Sequence, residues 1–267
     1  MNLDELKKNA ERFTGFTDVY DSSRPAMPSY PAELVIRYLN RMPECVIDIG
    51  CGTGLSMMIW QGRCNVLIGV EPSSDMLRAA EKRKPVGSKV IQAYAHATGL
   101  PDHCADVVIS SQSFHWMEPV ATLAETNRIL RPGGIFATVD CDWPPAFNFQ
   151  AEKCYCELFE LVNRLEREVP DLKDKSLRWP KERHLDNIRN SGYFSYCREV
   201  VFGNRENADA ERIINLALSQ GGLQSILNTR PELINQQWEW YCDNIRKLLG
   251  NGEFSIDFNY RMRIGVK

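Results

Sequence analysis

Asp48, the glycines at 50, 52 and 54, Glu71 and His115 are the residues whose types and spacing could carry chemistry. Gly50-Cys51-Gly52-Thr53-Gly54 follows the apolar run Val46–Ile49, and its glycines let the chain turn tightly and a ligand approach where a Cβ would clash. The dinucleotide fingerprint G-x-G-x-x-G would place its third glycine at position 55, which is Leu55. Asp48, in the mouth of the turn, would repel a pyrophosphate and suits a ligand with an ammonium group and no phosphate. Glu71 lies 17 residues after Gly54 and ends a second apolar run; a carboxylate there can accept both hydroxyls of a ribose. His115 is the general-base candidate, since imidazole titrates near neutrality; the competing reading packs it beside Trp116 for structure.

These residues need a scaffold that brings strand ends together. Apolar runs at Val46–Ile49, Asn65–Val70, Val90–Tyr94, Asp106–Ser110 and Ile135–Val139 predict strands buried on both faces of a parallel sheet. Helical patterns alternate with them: Pro31–Arg41, a helix capped at Thr53 that carries Leu55, Met58 and Ile59, one from Pro72 to about Lys84, and Glu118–Leu130 with a Gly133-Gly134 stop. Beyond Cys141 a helix is expected over about Gln150–Glu168, a polar irregular segment over 170–183, and a short helix over Leu185–Asn190. A sixth strand over Tyr196–Phe202, helices over Ala208–Ser219 and Pro231–Leu249, and a last strand over Phe254–Val266 complete the chain.

The order of these features resembles the class I S-adenosylmethionine-dependent methyltransferases of small-molecule type (methyltransferase type 11, trans-aconitate methyltransferase-like). Val46–Gly54 is similar to their motif I. Ser111-Gln112-Ser113-Phe114-His115-Trp116 is similar to their segment after the fourth strand, and Leu130-Arg131-Pro132-Gly133-Gly134-Ile135-Phe136 to their entry into the fifth. The resemblance covers residues 45–140. It implies an α/β fold: a Rossmann-like, doubly wound, seven-stranded, mostly parallel sheet with an antiparallel last strand and a helical lid. It implies an N-terminal cap over 1–30, a cofactor-binding core over 31–141, helical lid insertions around the sixth strand over 142–253, and the last sheet strand over 254–267.

By the same resemblance S-adenosylmethionine is the cofactor. The implied contacts are Asp48, Gly50, Cys51, Gly52, Gly54, Glu71, Pro72, Met76, His96, Ala97 and Ser111 from the core, with Tyr20 and Arg24 from the cap. His96 stands where relatives carry an Asp for the adenine amino group, and the next backbone N–H, that of Ala97, would take the ring nitrogen. A neutral imidazole accepts such a bond in one tautomer only. Tyr20 and Arg24 have their own bland alternative, a loop-packing ring and a solvated cation.

Methyl transfer from a sulfonium is an in-line displacement that needs alignment and exclusion of water, and no metal. Trp143, Phe147, Phe149 and Trp179 are candidates to wall the pocket by cation–π contact. A carboxylate acceptor would need a basic clamp, with Arg24, Arg178 and Arg183 as candidates, whereas a hydroxyl or amine would give His115 a role. The acceptor is expected to be a small molecule.

Composition narrows the rest. A net formal charge of −3 over 267 residues argues against nucleic acid or an anionic membrane as partner. There is no run of 18 apolar residues and no apolar leader at the N-terminus, so a cytoplasmic protein is expected. Nine scattered cysteines without a Cys-x-x-Cys pair read as reduced thiols and not as structural zinc. Monomer and homodimer both remain open. Two other classes compete: a non-catalytic S-adenosylmethionine- or S-adenosylhomocysteine-binding protein of the same fold, and a nicotinamide-dependent oxidoreductase. Against the second stand Asp48, Leu55 and the absence of a Tyr-x-x-x-Lys pair.

Overall fold

The structure, a computed structural model, describes residues 24–173 and 178–267. The expected cap over 1–30, apart from its last residues, lies outside them, and so does Tyr20. The chain alternates helix and strand in the order α1 (Tyr30–Leu39), β1 (Cys45–Ile49), β2 (Val66–Val70), α2 (Ser74–Arg83), β3 (Lys89–Ile91), β4 (Ala105–Ser111), α3 (Pro119–Ile129) and β5 (Leu130–Cys141). It continues through α4 (Phe149–Glu168), α5 (Pro170–Lys173), α6 (His184–Asn190), β6 (Tyr196–Ala208), α7 (Ala210–Leu218), α8 (Gly221–Thr229), α9 (Asn235–Leu249) and β7 (Phe254–Val266).

The strands form one seven-stranded sheet in the order β3-β2-β1-β4-β5-β7-β6. β1 to β5 run parallel, and β7 runs antiparallel to both β5 and β6. From β1 the chain winds outward to β3, then returns to place β4 on the other side of β1. The crevice at this switch point, outside the carboxyl ends of the strands, is where an open α/β sheet takes a ligand.

Side-chain alternation along the strands splits the core in two. Val46, Val107, Ile109, Ala137 and Val139 pack with α1, α4 and α9 on one face; Ile47, Ile49, Val108 and Phe136 pack with Leu123 of α3 and Ile188 of α6 on the other. All five residues of β1 are buried, as a strand covered on both faces requires. Among the described residues, no helix is long and apolar enough to cross a membrane.

Several elements differ from the sequence reading: α5 opens the segment expected to be irregular, β3 ends at Ile91 and β5 begins at Leu130. After the glycine turn the chain forms a 3-10 turn, Ser56–Trp60, instead of an α-helix capped at Thr53. The Ser56 hydroxyl is drawn down to Asp48 and Gly62 turns left-handed at φ +69°, so the segment closes after one tight turn that buries Met57 and Trp60. β6 runs on to Ala208 because Gly203 and Asn204, which look like turn residues, stay paired with Asn259 and Phe258 in the ladder. α8 was not expected. Its Gly222 packs where a Cβ would meet Glu166 and Val162 at 3.0 Å, so the glycine permits close helix packing instead of breaking the helix.

At the opposite, amino-terminal edge of the sheet, Asp106 holds the layers together. Its buried carboxylate accepts hydrogen bonds from the backbone N–H groups of Glu44 and Cys45 and from the guanidinium groups of Arg41 and Arg131. Burial alone would raise its pKa, but these donors win and hold it at about 2. Asp106→Ala would orphan two backbone donors and two cations, so urea denaturation should show a loss of about 3 kcal/mol.

Candidate functional site

A cavity of about 520 Å³ opens at the carboxyl ends of β1, β2, β4 and β5. Its floor begins at the glycine turn. The N–H groups of Gly50 and Cys51 both reach the Val70 carbonyl, at 2.7 and 3.2 Å, which folds the turn over the end of β2. Gly50 and Gly52 take φ of +69° and +56°, in the left-handed region that favours glycine. Their surroundings differ. A Cβ on Gly50 would lie 2.6 Å from Met117 Cε and 2.7 Å from Ser113 Cβ, whereas one on Gly52 would meet nothing within 4 Å. Gly50 is thus wedged against the segment after β4, and Gly52 presents bare backbone to the cavity.

Glu71 fixes that backbone. Its Oε2 accepts the Gly52 N–H at 3.0 Å and its Oε1 the Ser73 N–H at 2.9 Å. The carboxylate is buried at the cavity wall, and burial pushes its pKa up to about 7 although both backbone bonds pull the other way. Each oxygen keeps a lone pair, so two hydroxyls of a ligand can still be accepted.

Of the other residues singled out from the sequence, Arg24, Cys51, Pro72, Met76, His96, Ser111 and His115 also line the cavity. Asp48 does not. It is fully buried beneath the turn, its Oδ2 accepting from the Ser56 hydroxyl. Burial raises its pKa to about 7, the Ser56 bond opposes this, and the nearby Glu71 charge adds to it. The expected carboxylate in the mouth of the turn is therefore a buried one below it. Gly54 also stays off the cavity wall, its Cβ position 3.5 Å from the backbone of Ala80 in α2.

Ala97 is corrected as well. Its N–H donates to the Tyr94 carbonyl at 3.0 Å within a tight turn, and Ala97 is exposed and outside the cavity lining. The wall there is made by Tyr94, Ala95 and His96 instead, with the Tyr94 and His96 rings 5.7 Å apart.

Of the expected aromatic lid, Trp143 and Trp179 line the cavity, whereas Phe147 stacks on Phe254 and Phe149 is 78% exposed. Arg24 lies over the Trp143 ring at 5.3 Å and reaches the Ser219 carbonyl; Arg178 lies over the Trp116 ring at 4.7 Å. Arg183, exposed at the start of α6, is not part of the lining.

The sequence reading missed Asp140, Lys181, His184 and Tyr260, and it carried Gln112 only as part of the segment after the fourth strand. Asp140, buried near the end of β5, accepts from His184 Nδ1 at 3.1 Å and from Arg263 at 2.9 Å. Lys181 Nζ stands 3.4 Å from its other oxygen and donates to Gln112 Oε1 at 3.2 Å. His115 Nδ1 lies 3.7 Å from Asp140, and the backbone N–H of Trp179 donates to the His115 carbonyl at 2.8 Å. Burial would raise the Asp140 pKa, yet the two imidazoles and Lys181 hold it well below the carboxylate range. Burial, with help from Lys181 and Arg178, lowers the His115 pKa to about 4 against the pull of Asp140. A lone Asp closing the apolar strand Ile135–Val139 was the one available signal; Lys181 and His184 sit in a segment without pattern.

With this geometry in view, comparison with known proteins gives a consistent answer. Residues 47–138 match the family described as Methyltransferase domain. A trans-aconitate 2-methyltransferase of Acidovorax sp. is 34% identical over 120 residues, covering 44% of this chain and 44% of its own. A methyltransferase of Mycobacterium bovis is 30% identical over 122 residues, covering 46% of this chain and 49% of its own. The chain thus spans about half the length, or less, of these curated relatives.

Among solved structures, one assigned to a type II methyltransferase from Anaeromyxobacter dehalogenans superposes with a TM-score of 0.64 at 19% identity, over 91% of this chain and 97% of that one. The [4+2]-cyclase SpnF superposes at 0.52 with 14% identity, over 99% and 94%. These likenesses bear on the fold. Residues 47–138 thus match a methyltransferase domain, and the fold is the Rossmann-like, seven-stranded, mostly parallel sheet expected from the sequence.

The raised pKa of Glu71 has a consequence for stability. Between about pH 4.5 and 7 the folded chain holds a proton on this group that the unfolded chain releases, so its contribution to stability falls as pH rises through that window. Urea denaturation at pH 5 and pH 7 should show the wild type losing stability relative to Glu71→Gln as pH rises. Parallel pH dependences in the two proteins would contradict this.

Proposed function

We propose that the chain is an S-adenosylmethionine-dependent methyltransferase acting on a small-molecule acceptor. The observation that carries the reading is the pairing of Gly52 with Glu71. Bare backbone faces the cavity beside a buried carboxylate with lone pairs to spare, at the switch point of a sheet whose domain matches methyltransferases. That wall suits a ribose, and Tyr94 and His96 flank it with rings suited to an adenine. When bound, S-adenosylmethionine supplies a methyl group made electrophilic by its sulfonium.

In this reading Gly50, Cys51, Gly52, Glu71, Pro72, Met76, His96 and Ser111 hold the cofactor, and Arg24 closes one rim. Asp48 acts on it only through the turn, by way of Ser56. His96 works as an acceptor in one tautomer or as a stacking partner of Tyr94. Trp143 and Trp179 exclude water from the reacting end, where an in-line displacement needs alignment above all. The core spans 31–141, the lid 142–253 and the last strand 254–267. The small-molecule acceptor is supported by the size of the cavity, about 520 Å³, and by the name of the trans-aconitate relative. Free thiols at all nine cysteines support a cytoplasmic setting, and the net charge of −3 supports a partner other than nucleic acid.

Calorimetric titration tests this directly. S-adenosylmethionine and S-adenosylhomocysteine should bind with micromolar affinity and NADH should not; NADH binding alone would overturn the reading. Glu71→Ala should weaken S-adenosylmethionine binding by about 1–3 kcal/mol through loss of two charge-assisted hydrogen bonds. Gly52→Val should abolish binding, since its side chain would project into the open space beside the turn. Wild-type affinity should rise with pH through about 7, where the Glu71 carboxyl ionises and becomes an acceptor on both oxygens.

A further inference from the structure

Asp140 is the most heavily engaged buried charge at the cavity, and none of its partners belongs to the cofactor wall. Two imidazoles share it. His184 donates from Nδ1 at 3.1 Å, which leaves its Nε2 buried and without a hydrogen-bond partner among the described residues. His115 turns its own Nδ1 toward the other oxygen at 3.7 Å, with the two rings stacked at 6.4 Å and 19°. Arg263 bonds the same oxygen as His184 and is itself held by Glu199 at 2.8 Å, so the carboxylate cannot swing away. Asp140 is thus clamped through Oδ2 from β7 and α6, while two cavity-lining partners face its Oδ1 without a hydrogen bond, Lys181 at 3.4 Å and His115 at 3.7 Å.

We infer that His115 is the proton acceptor of the reaction, that Asp140 and His184 are its positioning residues, and that the acceptor molecule is methylated on a hydroxyl oxygen. The inference rests on the methyltransferase reading above and deepens it. A carboxylate directed at Nδ1 holds the proton there and leaves Nε2 bare for a substrate proton, and it offsets part of what burial, Lys181 and Arg178 cost the imidazolium once that proton arrives. A separation of 3.7 Å is the loose contact that such pairs show before the reacting complex tightens them.

The charges around the ring select the nucleophile. Besides Asp140, the groups acting on His115 are Lys181 and Arg178, which stand 3.4 Å from Asp140 and 3.6 Å from Glu166, with the Trp116 ring 4.9 Å away. An alkylamine arrives at neutral pH as an ammonium ion, whose nitrogen has no lone pair for the methyl carbon, and it would add a third cation beside Lys181 and Arg178. A carboxylic acid arrives without a proton and has no use for a base. A hydroxyl group needs the base and gains from the cations as negative charge develops on its oxygen. In the step itself the acceptor's O–H bond breaks and its proton goes to His115 Nε2. The oxygen forms the bond to the methyl carbon while the electron pair of the carbon–sulfur bond returns to sulfur. The products are a methyl ether, a neutral thioether and an imidazolium that later gives its proton to water.

The test has a spectroscopic arm and a kinetic arm. The protein contains four histidines, so ¹⁵N-histidine labelling, with His115→Gln for assignment, reads the tautomer of each ring. His115 should carry its proton on Nδ1 in the wild type and lose that preference in Asp140→Asn; an Nε2–H tautomer in the wild type would overturn the inference. In the kinetic arm, phenols, carboxylic acids and primary amines are offered with S-adenosylmethionine. Transfer to a phenol should fall about 100-fold or more in kcat for His115→Gln and Asp140→Asn, with the KM for S-adenosylmethionine within about threefold of wild type.

Transfer to a carboxylic acid that survives His115→Gln would overturn the inference. Should Asp140→Asn not fold, His115→Gln carries the kinetic arm alone, because it leaves Asp140 paired with Arg263 and His184. Should no compound in the panel react, the wild-type tautomer decides. Calorimetry with S-adenosylmethionine on the wild type is run alongside, so that failure of the underlying reading, seen as no binding, is distinguished from failure of the His115 assignment.

Discussion

A buried carboxylate bridging two backbone N–H groups is the constraint on which the site depends. Glu71 joins the glycine turn after β1 to the start of α2 after β2, and it does so in surroundings that resist its charge. Remove the carboxylate and Gly52 loses the acceptor that fixes its N–H; remove the glycine and a side chain enters the space that the carboxylate faces. Neither residue makes a binding wall alone. The turn is further pinned by Ser113, whose hydroxyl donates to the Ile49 carbonyl and whose Cβ sits against Gly50, so β4 also takes part in holding it.

Four buried acids illustrate how environment divides labour among identical groups. Asp106 and Asp140 stand near opposite ends of adjacent strands, and both are held ionised by cations and N–H donors. Asp106, at the amino edge, ties loops to the sheet and faces no cavity. Asp140, at the carboxyl edge, ties β5 to α6 and β7 and stands behind a histidine that does face one. Asp48 and Glu71 have hydroxyl or backbone donors and no cation, so burial prevails and pushes both up to about 7. Carboxyls poised near neutrality and a carboxylate fixed in its charged form thus lie around one cavity.

Much of this was legible in the sequence because buried parallel strands and glycine turns have strong local signatures. β1, β2, β4, β5 and β7 were visible as apolar runs or alternation, and Gly52, Glu71 and His115 as residues at strand ends. What escaped detection depended on contacts distant in the chain. α8 begins with two glycines and forms because α4 covers it; β6 continues through Gly203 because β7 pairs with it. Asp48 looked like a residue of the turn's mouth, but a strand buried on both faces carries its side chain inward to Ser56. Lys181 and His184 come from a stretch without periodicity, distant from Asp140 in sequence, and meet it only in the folded chain.

The most direct test of the central claim is a crystal structure of the full chain with S-adenosylhomocysteine. The ribose hydroxyls should lie about 2.5–3.0 Å from the Glu71 carboxylate, with the ligand backbone against Gly52 and the adenine beside Tyr94 and His96. A ligand seated elsewhere, or one whose ribose points away from Glu71, would contradict the claim.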